Sequence, residues 1–353
     1  MYFDLTDDQK MLRDQVESLL ADRLGDQQVL ALVDADTSWN PALFSALVDM
    51  GLPAILVPEA KGGLGMDLLT LAVAAEAQGK FAAPTPIIAN ALAAWLLSHV
   101  DGKDDDVGQL IGGEAIAAFA FCGGSGWTPD AWRLAGPTLA GEVAGVEWGE
   151  RATHFIVGLA GGGLGLVRAG APGLTVQPQQ SVDRTRPVAK LVFEGAAVEA
   201  LPLKPETIAR LQQAILVAYA ADAVGAANKA LGMAIEYAKV RKQFGRVIGS
   251  FQGLKFQLVD LAIEVEPSRP LVWYAAHCWD AIPAQAERMA ALAKAHTTDV
   301  AVKTGRGAIE AHGGIGYTWE YPLHVWLKRA MHDRTIFGAP SEHRTHAAAL
   351  AGW

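Results

Sequence analysis

The sequence predicts a mainly α-helical protein with a small β-rich region in the middle of the chain. Apolar residues recur at helical spacing over residues 1–112 and again over 204–353. Over 113–203, short β-prone runs are separated by Gly, Pro and Asp. We therefore predict three domains: an N-terminal helical domain (1–112), a middle β-domain (113–203) and a C-terminal four-helix bundle (204–353).

Composition and charge exclude several classes of protein. The chain has 353 residues and is 51% hydrophobic, which is enough for a large core. Its formal net charge of −9 argues against nucleic acid as a partner, because phosphate binding needs a basic surface. Cys122 and Cys278 match no metal-ligand spacing, so we predict two buried thiols and no metal site. The absence of an apolar run of transmembrane length and of a signal pattern favours a soluble, cytoplasmic protein.

The N-terminal helices carry local start and stop signals. Thr6 precedes two aspartates and an apolar repeat, so we predict that it caps the first helix. Asn40 followed by Pro41 predicts the start of another helix, which Gly51 ends.

An ordered Gly- and Pro-rich loop is predicted over 52–67, followed by helices over 69–79 and 87–99. The run Asp104–Asp106 predicts a solvated turn.

The middle region predicts a small antiparallel sheet or barrel. Its β-prone runs cover 115–121, 155–159, 165–168, 174–177 and 190–193. The polar string SVDRTRP, residues 181–187, is interpreted as a turn that holds Asp183 near Arg184 or Arg186.

The C-terminal region begins with a run over 208–237 that is apolar almost all round. Such a pattern is typical of a helix buried in a bundle, and it favours a subunit contact. Asp222 and Asn228 lie inside this run, and we interpret them as hydrogen-bonded groups that fix the helix register. Further helices are predicted over 251–266 and 281–309, with a proline break between them.

Two stretches in this region carry residues suited to an anionic ligand. YAKVRKQFGRVIGSFQ, residues 237–252, predicts a helix end, a tight turn and the start of the next helix. It contains Arg241, Lys242 and Arg246, which are alternatively solvated cations at a helix C-terminus. In EAHGGIGYTWE, residues 310–320, clustered glycines allow backbone N–H groups to approach a ligand closely.

In this order and about seventy residues apart, the two stretches resemble the C-terminal domain of the acyl-CoA dehydrogenase family. The loop string VPE-x-x-GGLG and the string SVDRTRP extend the resemblance into the other two regions. The resemblance implies an acyl-CoA dehydrogenase-like fold and FAD as cofactor. It also implies an acyl-CoA substrate and an electron-transfer flavoprotein as acceptor. The residues that it implies as FAD contacts are Arg241, Gln243, Phe244, Gln252, Glu310, Gly313 and Gly314.

The catalytic base that the resemblance leads one to expect is missing. Acyl-CoA dehydrogenation needs a buried carboxylate to remove the proton at Cα. Most family members carry it in a string like I-Y-E-G-T, where this chain has Phe337 or Gly338. The earlier window that a minority uses, 212–218, contains no acid. Glu342 and Asp333 are the nearby carboxylates, and Glu342 is the alternative base.

Two further departures concern the cofactor. The loop FCGGSGWTPD, residues 121–130, lacks the family's usual arrangement around Ser125 and Thr128, and the Trp-containing strand is not recognisable. We therefore expect this chain's own β-domain to bind FAD poorly or not at all. Glu310 stands where the family commonly has Gln, and an anion there would repel a pyrophosphate unless it turns away or is neutral.

These observations predict the non-catalytic subunit of a hetero-oligomeric acyl-CoA dehydrogenase. A paralogous subunit would supply the glutamate and the main FAD fold, and this chain would lend cofactor contacts. Three alternatives remain open: a homo-oligomeric dehydrogenase that uses Glu342, a flavin monooxygenase-like enzyme, and a scaffold subunit that binds neither FAD nor CoA.

Overall fold

Helical regions flank a small β-rich middle region, as the sequence predicts. The computed structural model describes residues 4–35, 39–121, 138–159 and 161–353. The helices are α1 (Asp7–Arg23), α2 (Asp26–Asp34), α3 (Pro41–Asp49), α4 (Leu68–Lys80), α5 (Ile87–Leu97), α6 (Asp104–Ile111), α7 (Pro205–Val240), α8 (Gln252–Val265), α9 (Ser268–Ala281), α10 (Pro283–His312), α11 (Leu323–Thr335) and α12 (Pro340–Leu350). The strands are β1 (Ala117–Ala120), β2 (Thr138–Glu147), β3 (His154–Gly158), β4 (Leu164–Arg168), β5 (Leu174–Gln179), β6 (Val188–Ala197), β7 (Glu199–Leu201), β8 (Lys242–Gln243) and β9 (Arg246–Val247).

Local capping signals fix the starts of the N-terminal helices. The Thr6 side chain accepts a hydrogen bond from the backbone N–H of Gln9, and the Gln9 side chain accepts one from the backbone of Thr6. The Asn40 side chain accepts a hydrogen bond from Leu43 N–H at 3.0 Å. Both predicted helix starts are confirmed, because the capping bonds involve only residues three positions apart.

The predicted solvated turn at Asp104–Asp106 is wrong. These residues form the first turn of α6, where acidic side chains suit the positive end of the helix dipole. Asp106 is buried, accepts a hydrogen bond from the Arg168 side chain at 2.5 Å, and lies 3.1 Å from His154 Nε2. Both partners belong to strands, so this pair attaches the N-terminal helices to the sheet.

The middle region contains two sheets, in place of the single antiparallel sheet or barrel that the sequence predicts. One sheet has the strand order β1-β3-β4-β7, and its β1–β3 pair is parallel. The other is antiparallel, in the order β2-β6-β5. The sequence analysis missed β2 and β7. Strand β2 reads TLAGEVAGVE, in which glycines and acids weaken the strand pattern, and its pairing with β6 is interrupted by register shifts.

Helix α7 forms the centre of the fold and packs against α4 with almost no space between the two backbones. A Cβ atom on Gly79 would lie 1.9 Å from the Asp222 carbonyl oxygen, and one on Gly225 would lie 2.0 Å from the Glu76 carbonyl oxygen. Glycine is therefore required on both helices at this crossing.

Among the described helices, α7 is long and apolar enough to cross a membrane, although the sequence analysis expected no run of that length. However, 89% of its most apolar window is buried inside the protein. This is the pattern of a core helix.

In the C-terminal bundle, α8 ends at Val265, just before Pro267, and α9 begins at Ser268. The predicted break is thus confirmed, and the last predicted segment forms the single helix α10.

Candidate functional site: an exposed hairpin, a glycine turn and a base loop without a carboxylate

The stretch after α7 forms a two-stranded hairpin that projects from the bundle. Strands β8 and β9 pair through Lys242 with Val247 and Gln243 with Arg246. The turn places Phe244 at φ 50° and Gly245 at φ 79°, both in the left-handed region. The Phe244 side chain is 92% exposed. A bulky residue in this conformation costs on the order of 1–3 kcal/mol, and such strain is common at ligand sites.

The hairpin presents cations that the described residues do not neutralise. Within the described ranges, neither Arg241 nor Lys242 has an ion-pair partner, and both are exposed. The Arg246 guanidinium lies over the Phe251 ring at 4.0 Å. Gln252 is exposed at the first position of α8, where helix N–H groups lack intrahelical partners.

The glycine stretch forms a tight turn at the end of α10. Gly313 has φ 66°, and its N–H donates to the carbonyl oxygens of Glu310 and Ile309. A Cβ atom on Gly313 or Gly314 would meet nothing within 4 Å, so this backbone faces open space. Both glycines are exposed. The positive φ of Gly313 already favours glycine at that position. At Gly314 neither φ nor a neighbouring atom explains the absence of a side chain, whereas a ligand that approaches the backbone would.

The Glu310 side chain is exposed and lines a surface groove together with Gln257 and Arg306. The groove lies between α8, α10 and α11. The sequence left open whether Glu310 turns away from a pyrophosphate or is neutral. A side chain that lines this groove together with Arg306 fits the first of these two options.

The two predicted contact stretches meet in the structure. The Tyr237 ring, near the end of α7, stacks on the His312 ring at the end of α10, with centroids 4.3 Å apart. Unpaired cations on the hairpin and open glycine backbone on the turn suit the phosphates of an anionic cofactor. The described residues therefore fit the pyrophosphate of FAD as a surface contact. Nothing in this geometry encloses a cofactor within this part of the chain.

The loop between α11 and α12 places an aromatic ring where the base was expected. Phe337 has φ 55°, and its ring packs edge-on against Tyr219, with centroids 5.2 Å apart, and against Phe121 at 6.2 Å. His343 Nε2 donates to the Phe337 carbonyl oxygen at 3.0 Å, and Lys294 Nζ donates to the carbonyl oxygens of Asp333 and Gly338. Two buried side chains thus hold this loop in place.

The two nearby carboxylates, Glu342 and Asp333, lie in opposite surroundings. Glu342 is exposed, and its Oε2 accepts a hydrogen bond from Ala339 N–H at 2.7 Å at the start of α12. It lines a cleft of about 550 Å³ together with Gln212 and Gln213 of the earlier window. Asp333 is fully buried and ion-paired with Arg186. Burial and the neighbouring Asp222 raise the pKa of Asp333 to about 7, against the effect of the arginines.

Beneath the aromatic cluster lies a buried polar network that the sequence analysis missed. Tyr219 donates a hydrogen bond to Glu147, which also accepts one from His332 at 2.5 Å. Burial alone would raise the pKa of Glu147, but Arg186, His332 and Tyr219 together lower it. Burial and the Glu147 charge raise the pKa of Tyr219 well above its usual value. The carboxylate is therefore charged and fully engaged, and the phenol stays protonated.

The string SVDRTRP supplies part of this network and forms the predicted turn, in which the Arg186 N–H donates to the Asp183 carbonyl oxygen at 3.4 Å. The Asp183 side chain accepts hydrogen bonds from the backbone N–H of Thr185 at 2.8 Å and from its hydroxyl at 2.6 Å. Arg186 instead reaches Asp222 at 2.8 Å and Asp333. The predicted structural role of Asp222 is confirmed, since Arg329 also binds it at 2.7 and 2.8 Å. One partner of Asp222 is Arg186, which lies in a loop distant in sequence. Residue spacing does not reveal a pair of this kind, so the network could not be predicted from the sequence.

Some predictions fall on residues outside the described ranges, namely Cys122, Ser125 and Thr128. Cys278 is buried with a free thiol, as expected. Across 4–35, 39–121, 138–159 and 161–353, no group of three or more His, Cys, Asp or Glu side chains could hold a metal ion.

Comparisons with known proteins identify relatives of the whole chain. Residues 6–102 match the model of the acyl-CoA dehydrogenase N-terminal domain, and residues 216–350 match that of the C-terminal domain. The acyl-CoA dehydrogenase IpdE2 of Mycobacterium tuberculosis (strain ATCC 25618 / H37Rv) is 31% identical over 95% of this chain and 95% of its own length.

Solved structures agree over the full length. A variant of the Tcur3481-Tcur3483 steroid ACAD is 25% identical, covers 98% of both chains and gives a TM-score of 0.88. A chain of the ChsE4-ChsE5 complex from Mycobacterium tuberculosis gives a TM-score of 0.88 at 24% identity, over 100% of this chain and 99% of that one. The second likeness bears on the fold alone.

Proposed function

The chain belongs to the acyl-CoA dehydrogenase family, and on that premise we propose that it is the non-catalytic subunit of a hetero-oligomeric enzyme. The family oxidises CoA thioesters between Cα and Cβ with FAD as cofactor. The observation that carries the proposal is the loop between α11 and α12. At the position expected for the base it presents the Phe337 ring and Gly338, neither of which can accept a proton.

The chemistry explains why this loop is decisive. The proton at Cα of a thioester is only weakly acidic, so its removal needs a carboxylate whose pKa is raised by burial in a dry pocket. FAD, when bound, supplies the acceptor for the hydride from Cβ. Around the loop, Glu147 has a lowered pKa and three polar neighbours, and Glu342 is exposed. Asp333 has a raised pKa, but it is fully buried and ion-paired with Arg186. A paralogous subunit with its own glutamate would provide the missing group.

The exposed hairpin and the glycine turn support a lending role. We propose that Arg241 binds the FAD pyrophosphate of the partner subunit, and that the exposed backbone of Gly313 and Gly314 lets this cofactor approach closely. Phe244, Gln243 and Gln252 would cover the rest of the cofactor. Their exposure is what a contact across a subunit interface requires. Glu310 belongs to this surface, with its carboxylate turned toward the groove lined by Arg306.

Apolar exposure beside the hairpin supports a subunit contact. Phe256, Val259 and Ile263 lie on one side of α8 and are 58%, 47% and 65% exposed. A stripe of this kind, next to a cofactor-contact surface, is typical of an interface.

We keep the division into domains 1–112, 113–203 and 204–353 as part of the proposal, with the last providing the oligomer contacts. We further propose that the partner subunit binds the acyl-CoA and that an electron-transfer flavoprotein is the electron acceptor. We propose a cytoplasmic location for the complex. The similarity to a steroid ACAD favours a bulky acyl group such as a steroid side chain.

The test is to purify the chain alone and together with its paralogous subunit, and to record the visible spectrum and the native mass of each. We expect a colourless single chain and a yellow mixed complex, whose activity is lost when the partner's glutamate is changed to glutamine. A yellow single chain that reduces a dye with acyl-CoA would instead establish the homo-oligomeric alternative. A colourless mixed complex would establish a scaffold.

A charge variant separates cofactor contact from general surface charge. Arg241→Gln should weaken FAD binding by the mixed complex about tenfold or more, since hydrogen bonds to charged groups contribute roughly 1.5–3 kcal/mol. Lys239→Gln is the matched control, because Lys239 lies two residues earlier and already pairs with Glu236 at 2.6 Å. We call the proposed FAD-contact residues the lending surface: Arg241, Gln243, Phe244, Gln252, Glu310, Gly313 and Gly314. Equal FAD affinity in both variants would argue against a role of this surface in binding FAD.

A further inference from the structure

His312 connects the two stretches that form the lending surface. It is the last residue of α10, directly before Gly313, and is only 5% exposed. Its ring stacks on Tyr237, with centroids 4.3 Å apart and planes 22° apart. Tyr237 lies one helical turn before Arg241. A single buried ring therefore joins the glycine turn to the helix end that carries the hairpin.

The hydrogen bonds of the ring determine its tautomer. The Nδ1 atom lies 2.7 Å from the Ala308 carbonyl oxygen, which can only accept, so Nδ1 carries the proton. In the neutral ring, Nε2 is then an acceptor, and the Tyr321 hydroxyl at 3.0 Å donates to it. Burial lowers the pKa of His312, which keeps the ring in this neutral form. Both nitrogens are satisfied, and the ring orientation is fixed.

The third glycine of the turn packs on this residue. A Cβ atom on Gly316 would lie 2.8 Å from the His312 Cβ and 3.0 Å from the Ile309 carbonyl oxygen. Gly316 is buried, whereas Gly313 and Gly314 are exposed with open space around them. The glycines therefore have two roles: one allows the turn to fold over His312, and the other two expose backbone.

We infer that His312 is a positioning residue that fixes the Gly313–Gly314 backbone and the Arg241 hairpin in one arrangement. The inference rests on the proposed lending function. Two contacts held in a fixed relation bind one ligand together, because the second contact forms without further loss of conformational freedom. His312 acts through Tyr237 and Tyr321, and does not itself contact the cofactor.

His99 shares part of this geometry and serves as a control, although it is exposed and His312 is buried. His99 also places Nδ1 on a carbonyl oxygen four residues earlier, that of Trp95, at 2.8 Å, and its ring packs on the Trp95 ring at 4.7 Å. It follows α5 in the N-terminal domain, remote in sequence from the hairpin and the glycine turn. A loss common to both histidines would report on ring packing in general.

The experiment measures FAD binding by the mixed complex for His312→Phe, Tyr321→Phe and His99→Phe, with thermal unfolding of each. His312→Phe keeps an aromatic ring and loses both hydrogen bonds. We expect about tenfold weaker FAD binding for it, because the lost hydrogen bonds no longer hold the glycine turn and the hairpin in one arrangement. Tyr321→Phe should weaken FAD binding less than His312→Phe does. The variant that carries both substitutions should bind FAD no more weakly than His312→Phe, because each substitution removes the hydrogen bond between His312 and Tyr321. His99→Phe should bind FAD as the wild type does.

A second readout uses the chain alone. Hydrogen exchange of the segment 310–316 should be faster in His312→Phe and in Tyr321→Phe, and unchanged in His99→Phe. If His312→Phe fails to assemble with the partner subunit, FAD binding and hydrogen exchange are both measured on Tyr321→Phe. The inference is overturned if His312→Phe retains wild-type FAD affinity and exchange, or loses affinity only to the extent that His99→Phe does.

The variants Arg241→Gln and His312→Phe also distinguish the proposed lending surface from the proposed positioning role of His312. If Arg241→Gln weakens FAD binding and His312→Phe does not, the lending surface stands and the positioning role falls. If Arg241→Gln has no effect on FAD binding, the lending surface itself is wrong.

Discussion

Asp222 is the most demanding polar residue of the core, and its replacement gives a sharp test of the buried network. It is fully buried in α7 and binds Arg329 through two hydrogen bonds, at 2.7 and 2.8 Å. Arg186 lies 2.8 Å from the same carboxylate. Burial alone would raise the pKa of Asp222, but the two arginines lower it to about 2. One carboxylate thus connects α7 to α11 and to the loop before β6.

Asp222→Asn keeps the shape of the side chain and removes its charge. Breaking a buried ion pair from one side costs about 3–5 kcal/mol, because a buried charge is left unpaired. The neighbouring Asp333 offsets part of this cost, since the Asp222 charge is one cause of its raised pKa. Without that charge, Asp333 should ionise more readily and neutralise Arg186. We therefore expect Asp222→Asn to lower the free energy of unfolding by about 3 kcal/mol at pH 7.

For a chain of this length the unfolding entropy near the midpoint is about 0.7 kcal/mol/K, so the melting temperature should fall by about 4 °C. Thermal unfolding followed by circular dichroism at pH 7 measures this shift. Glu264→Gln is the control, because Glu264 forms an exposed pair with Lys303 that should contribute less than about 1 kcal/mol. A shift for Asp222→Asn no larger than that of the control would refute the reasoning.

Two further predictions follow from the packing. Gly225→Ala should prevent correct folding or lower the melting temperature by more than the Asp222 variant, because its Cβ would lie 2.0 Å from the Glu76 carbonyl oxygen; soluble yield and thermal unfolding check this, and Gly232→Ala, on the same helix with open space, is the control. Burial and the nearby Lys294 lower the pKa of His343 to about 4. The unfolded chain therefore binds a proton that the folded chain does not, and stability should fall by about 3 kcal/mol as the pH drops from about 6.5 to 4. Chemical unfolding at each pH should show a weaker dependence in His343→Gln, and an equal dependence would contradict the assignment.

Elements that depend on short-range signals could be predicted from the sequence. Thr6, Asn40 and Pro41 determine where α1 and α3 begin, because a cap bonds residues three positions away. The tight turn between α7 and α8 was predicted from residues 237–252, whereas the β8–β9 pairing was not. The prediction that the base is missing rests on the family resemblance, which places Phe337 or Gly338 at that position, and it stays a prediction.

Only the tertiary structure decided which residues meet, because pairing between distant segments leaves no periodic pattern. Asp106 could be a solvated acid until Arg168 is placed beside it. Asp183 has arginines adjacent in sequence and nevertheless bonds Thr185. The stack of Tyr237 on His312 brings together the two stretches that are predicted to contact the cofactor, which the sequence could only place in order. Local chemistry sets the start of a helix, whereas burial selects the partner of a charge, since water no longer solvates it.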